Sequence, residues 1–250
     1  MIILPAIDIK GGQCVRLYQG DFERVTIYDA DPIQAAQRWQ SAGAGWLHVV
    51  DLDGAVAGYP VNVETIARIR DATSLRIELG GGIRTLGHIK QVLDLGIERV
   101  ILGTIALTDR TLLEEALARW GEHIAVGLDA RNGLVAISGW RETTQVQATT
   151  LAAELYAVGV QRFVYTDIAR DGALQGPNLN ALSEMQQRLG HPQRAPLAGA
   201  LPALIASGGI SSLEDLRLLA TLGIEGTIVG KALYTGDVDL AAAIQEIEKR

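Results

Sequence analysis

The chain has a single cysteine among 250 residues, Cys14, which excludes an internal disulfide framework and fits a reducing compartment. It lacks any apolar run of membrane-spanning length, because Gly, Arg, Asp or Glu interrupts each candidate stretch. Its first residues lack the charged lead-in, apolar core and small-residue cleavage site of a secretory leader. Positive charge is in deficit: the net charge of −7 argues against a surface built to attract nucleic-acid phosphates. Small phosphorylated ligands are not excluded, since backbone N–H groups can hold them. His48, His88, His123 and His191 share no metal-like spacing with one another or with Cys14. There is neither a dinucleotide-binding GxGxxG opening nor a serine-hydrolase triad signature. The expectation is a soluble, cytoplasmic monomer without metal, cofactor, nucleic-acid or membrane partner.

What the chain does have is regular alternation. Short apolar runs such as IILPAID, WLHVVDLD and RFVYTDI are each followed by helical spacing, as in NVETIARIRDA or SLEDLRLLATLG. Several of these segments begin at Asp, Asn, Thr or Ser and end at Gly, the residues that cap helices. Eight such units average about 31 residues, the usual length of a strand–helix unit in a (β/α)₈ TIM barrel. An open doubly wound sheet is disfavoured by the even count and the missing phosphate fingerprint. No Pro/Ser-rich linker divides the chain, so one domain over residues 1–250 is expected. The halves also echo each other. AIDIKGGQCVRL answers GLDARNGLVAI, and ELGGGIRTLGHIKQVLDLG answers IASGGISSLEDLRLLATLG. That implies a two-fold repeat of half-barrels, approximately 1–122 and 123–250.

Within the repeat, Asp8 aligns with Asp129, each near the end of an apolar strand. A carboxylate there is costly unless paired, hydrogen-bonded or kept for chemistry. The C-terminal strand ends of a barrel build its active site, and the first and fifth strands stand opposite each other. Two facing carboxylates with different surroundings can act as general base and general acid. For either alone, pairing with a nearby cation such as Lys10 or Arg131 is an equally good account. Glycine clusters follow the third and seventh runs (Gly81, Gly82; Gly208, Gly209) and the fourth and eighth (Gly103, Gly230). Glycine lets a backbone approach an anion, and a helix start directs N–H groups at it. Two phosphate sites imply a long substrate with a phosphate at each end. Lys231 would add charge at the second site, whereas Thr104 offers only a hydroxyl at the first. Thr166 ends the sixth strand, where its hydroxyl can orient a carboxylate or sugar. Gly172 lies in the loop that follows. Trp140 reads either as a hairpin aromatic or as a residue that stacks on a flat ring. Arg16 reads either as an anion contact or as a solvated charge. His48 reads as a satisfied strand histidine.

The combination LPAIDIKGGQCVRLYQGD, HVVDLDGA, ELGGGIRT, VGLDARNG, SGW, YTDIARDGALQGPN, IASGGISS and IVGKAL, running through almost the whole chain, resembles the ProFAR isomerase family of histidine biosynthesis. The resemblance implies a barrel that converts a bisphosphorylated ribotide from aminoaldose to aminoketose without cofactor. It implies Asp129 as the acid that opens the furanose, Asp8 as the base that takes the C2′ proton, and Thr166 as support. The alternatives left open are a bifunctional isomerase that also uses phosphoribosyl anthranilate, the related cyclase barrel, and a silent sugar-phosphate binder. One stretch departs from the pattern: GHPQRAPLAGALPALIASGG is about a dozen residues longer than a short αβ connection. It is expected at the face opposite the site.

Overall fold

The computed structural model describes residues 1–190 and 202–248. Most of the long connection before the seventh apolar run lies outside those residues. Twelve strands are described: β1 (Ile2–Lys10), β2 (Gln13–Tyr18), β3 (Asp21–Asp29), β4 (Trp46–Asp51), β5 (Arg76–Gly80), β6 (Arg99–Leu102), β7 (Ile124–Arg131), β8 (Leu134–Ile137), β9 (Glu142–Gln147), β10 (Arg162–Asp167), β11 (Ala203–Ser207) and β12 (Gly226–Val229). The helices are α1 (Pro32–Ser41), α2 (Leu52–Ala57), α3 (Val63–Ala72), α4 (Leu86–Asp94), α5 (Thr104–Thr108), α6 (Arg110–Trp120), α7 (Ala148–Val158), α8 (Leu179–Leu189), α9 (Leu213–Thr221), α10 (Lys231–Thr235) and α11 (Leu240–Ile247).

Eight strands pair in parallel and close on themselves in the order β1, β4, β5, β6, β7, β10, β11, β12 and back to β1. This is the expected (β/α)₈ barrel. Helix starts follow the cap chemistry read from the sequence. The Asp31 side chain accepts from Ile33 N with Pro32 at the first position, and the Thr85 hydroxyl accepts from His88 N. Ser212 and Asp215 form a reciprocal capping box on α9.

Strand alternation decides what faces the axis. On β1, Ile3, Ile7 and Ile9 pack outward into the helix layer, while Leu4 and Ala6 join an inner cluster with Trp46, Ile101, Ala125, Val164, Ile205 and Ile228. Asp8 shares parity with Leu4 and Ala6, so it points inward. The same parity carries Asp129 beyond Ala125 on β7 and Thr166 beyond Val164 on β10. A one-residue slip would drive these polar groups into the apolar helix layer and turn bulky isoleucines into the filled barrel interior. The register is therefore strongly specified.

Two antiparallel hairpins rise from equivalent places, β1–β2–β3 and β7–β8–β9. The sequence reading treated both as loops. Their signals are Gly11–Gly12 between paired Lys10 and Gln13, and Asn132–Gly133 between paired Arg131 and Leu134. All four turn residues have positive φ, the condition for a two-residue hairpin turn that matches strand twist. No helix among the described residues is long and apolar enough to cross a membrane.

Candidate active site

A cavity of about 230 Å³ opens at the C-terminal ends of the barrel strands, and Asp8, Asp129 and Thr166 all line it. Thr166 on β10 lies directly beside Asp129 on β7 in the parallel register. The Trp140 indole N–H and the Thr166 hydroxyl both hydrogen-bond the Asp129 carboxyl. Burial pushes that carboxyl above its ordinary range, outweighing the lowering effect of these two bonds and of nearby His48. Asp129 therefore holds its proton to a higher pH than an ordinary aspartate.

Asp8 has a different partner from either suggested by the sequence. Lys10 Nζ donates to the Phe22 carbonyl at 3.2 Å, and Arg131 Nη1 donates to Thr143 Oγ1 at 3.1 Å. The ion pair is instead with Arg16, whose Nη1 stands 2.9 Å from Asp8 Oδ2. Arg16 is not a solvated loop charge: it is 8% exposed, brought inward by β2. Burial opposes its charge, yet the Asp8 and Asp171 carboxylates hold it protonated above its ordinary range.

The glycines divide into two groups. Gly81, Gly82, Gly103 and Thr104 line the main cavity. Gly208, Gly209, Gly230 and Lys231 line an adjoining space of about 20 Å³, together with Arg16, Asp171 and Gly172. Gly82 and Gly209 have φ of 74° and 88°, and a Cβ on either would overlap a carbonyl of the preceding βα loop, Tyr59 or Gly176. Here glycine serves close backbone packing as well as access. A Cβ on Gly230 would run into the Arg16 guanidinium. Gly103 and Gly230 begin α5 and α10 with nearly the same backbone, φ/ψ −94°/−114° and −104°/−102°. Lys231 Nζ donates to the Gly172 carbonyl at 2.9 Å, and Thr104 Oγ1 accepts from Ser138 N at 3.0 Å. Trp140 belongs to the turn after β8 and lies over Gly20, where a Cβ would overlap its ring. The two hairpins therefore meet above the cavity.

Three features escaped the sequence reading. Asp171 lines the cavity, and burial together with the Asp8 and Asp129 charges raises its carboxyl from 3.8 to about 6 against the pull of Arg16 and His48. Its sequence signal was the second acid of YTDIARDGA, answered in the first half by Asp53 of DLDGA, which does not line the cavity. His48 is satisfied, as expected, by Glu78 Oε1 at 2.7 Å, but it also lines the cavity. The third feature is a pair of Asp–Asn clamps, each spanning 11 residues. Asn62 Nδ2 donates to Asp51 Oδ1 and Asn178 Nδ2 donates to Asp167 Oδ2, both at 2.7 Å. Asp51 is fully buried and also accepts from the backbone N–H groups of Gly54, Val61 and Asn62. The clamps tie down the loops against which Gly82 and Gly209 pack. Among the described residues, no group of three or more His, Cys, Asp and Glu side chains is placed to hold a metal ion.

Residues 2–239 match the family model described as histidine biosynthesis protein. The chain is 52% identical over 244 residues to a 1-(5-phosphoribosyl)-5-((5-phosphoribosylamino)methylideneamino)imidazole-4-carboxamide isomerase of Chloroflexus aurantiacus, covering 98% of this chain and 97% of the relative. It is 49% identical to the isomerases of the same name from Synechocystis sp. and Dehalococcoides mccartyi, covering 99% of this chain and 93% and 100% of the relatives. These relatives carry the activity of the ProFAR isomerases that the motifs resembled. With a match across nearly its whole length, the chain belongs to the histidine biosynthesis protein family.

Proposed function

We propose that this protein isomerises the bisphosphorylated ribotide ProFAR to its ribulosyl isomer by an Amadori rearrangement. The observation that carries the assignment of roles is the unequal surroundings of two carboxylates on one cavity. Asp129, held by neutral donors and raised by burial, supplies a proton to the ring oxygen. The C1′–O bond then breaks, leaving a protonated imine. Asp8, in its ion pair with Arg16, accepts the C2′ proton, and the resulting enolamine tautomerises to the ketone. Thr166 orients Asp129 from the neighbouring strand. Asp171, at about 6, is a second candidate for the acid, favoured by its place between Arg16 and both other aspartates.

The glycine loops take the two phosphates, so that remote binding energy positions the reacting carbons. The open group, Gly81, Gly82, Gly103 and Thr104, receives one. The narrow group, Gly208, Gly209 and Gly230 with Gly172 and Lys231, receives the other, with Arg16 beside it. Trp140 closes over the sugar from the second hairpin. The matched hairpins, clamps and glycine pairs support reading residues 1–122 and 123–250 as half-barrels of one domain. The protein acts on this small molecule as a cytoplasmic monomer, an assembly state that light scattering reads directly.

The test is turnover of ProFAR by the purified protein with no metal or nucleotide added, and with phosphoribosyl anthranilate in parallel. Conversion of ProFAR is expected. Equal use of the second substrate would make the enzyme bifunctional. A well-folded protein that leaves ProFAR unchanged overturns the proposal and favours the related cyclase.

A further inference from the structure

The barrel interior contains a charge that the reaction does not use. Glu78 sits on the inner face of β5, fully buried, level with His48 on β4 and Arg99 on β6. Its two oxygens have separate obligations. Oε1 meets His48 Nδ1 at 2.7 Å, directly across the β4–β5 register, and Oε2 accepts from Arg99 Nη1 at 2.8 Å. Arg99 in turn lies with its guanidinium 4.4 Å from the Trp46 ring centroid and 3.7 Å from Glu225. A buried ion pair of this kind seldom stabilises more than an apolar pair of the same volume. Stability alone is therefore a poor account of why Glu78 is there.

We propose that Glu78, backed by Arg99, is a positioning residue that fixes the proton of His48 on Nδ1 and turns Nε2 toward the substrate. This rests on the ribotide reading of the cavity, which His48 lines. Arg99 has only donors, so it engages an ionised Glu78, and the oxygen left for His48 can only accept. The His48 proton must then lie on Nδ1. Nε2 is then left for the cavity that His48 lines, whose lining also carries Asp8, Arg16, Asp129 and Asp171.

Glu78→Gln tests this with little change in shape. Arg99 claims the amide oxygen, so the amide nitrogen faces His48 and requires the opposite tautomer. In ¹⁵N spectra of the substrate-free protein, the His48 proton should move from Nδ1 to Nε2, and kcat should fall about 10–100-fold while KM changes little. An unchanged tautomer, or kcat equal to the parent, overturns the proposal. Should that variant fail to fold, Glu78→Met with Arg99→Met removes the whole ion pair. It should keep the parent's stability and show the same loss of kcat; parental kcat overturns the proposal. The tautomer reading needs no substrate, so it stands apart from any failure to turn over ProFAR.

Discussion

The two halves of the barrel place equivalent atoms in equivalent positions and surround them differently. In the first half, Asp8 faces a guanidinium while the glycine loops stay open to the main cavity. In the second, Asp129 faces an indole N–H and a hydroxyl, while the glycine loops are crowded by Arg16 and Lys231. Arg16 belongs to the first half by sequence, yet it reaches the second half's Gly230. Two halves that echo each other thus acquire different electrostatic environments because one cationic side chain reaches across the seam between the neighbouring strands β1 and β12. In the mechanism we propose, that asymmetry lets one carboxylate give a proton while the other takes one.

The sharpest way to break the comparison is at the carboxylates themselves. Asp8→Asn and Asp129→Asn should each lower kcat about 10²–10⁴-fold with the fold retained by circular dichroism. If either variant keeps activity within tenfold of the parent, the division of labour fails, and Asp171 becomes the acid to test. Next in size are the matched glycines. Gly82→Ala and Gly209→Ala should each cost about 2–4 kcal/mol in urea unfolding, since each combines positive φ with carbonyl overlap. A large effect in one half and none in the other would show that the two loops are not equivalent supports.

Asp171 sharpens the asymmetry further, because the corresponding acid of the first half, Asp53, does not line the cavity and accepts instead from Gly11 N and Asn62 Nδ2. Its native carboxyl titrates near 6, above the ordinary 3.8. Between those values the folded state binds the extra proton, so stability should fall as pH rises from about 4 to 6. Asp171→Asn should lessen that decline, leaving the part due to Asp129, and stabilise the protein at pH 8 by up to about 3 kcal/mol, while slowing turnover. Urea unfolding at pH 4.5 and pH 8 gives the answer; a variant no more stable than the parent at pH 8 refutes it. The smallest effect concerns the helix caps. Ser212→Ala should cost about 1 kcal/mol and Thr85→Ala less, because only Ser212 belongs to a reciprocal capping box. Equal thermal shifts would remove that distinction.

Local order was legible in the residues wherever it repeats at short range. The period of two in the strands and the helical spacing between them predicted the alternation, and the caps at Asp31, Thr85 and Ser212 placed helix starts. The hairpins read as loops although KGGQ and RNGL carry turn signals, because β2 and β8 are short and lie between a barrel strand and its helix. In the site, Asp8, Asp129 and the glycine pairs were found because each occurs twice. Asp171 was missed although Asp53 answers it, because it lies in a loop beyond the strand end, where strand parity does not say which acid faces the cavity.

By itself, then, the sequence determined the eight strand–helix units, the face on which each carboxylate lies and the positions where the backbone must be glycine. Those properties depend on strand parity, cap chemistry and allowed φ, all of which act within a few residues. Tertiary structure alone decided that Arg16 rather than Lys10 or Arg131 pairs with Asp8, that Trp140 reaches Asp129, and that Glu78 holds His48. It also raised the Asp129 and Asp171 carboxyls. Burial and charge proximity are set by groups far apart in the chain, and they exist only once the barrel has closed.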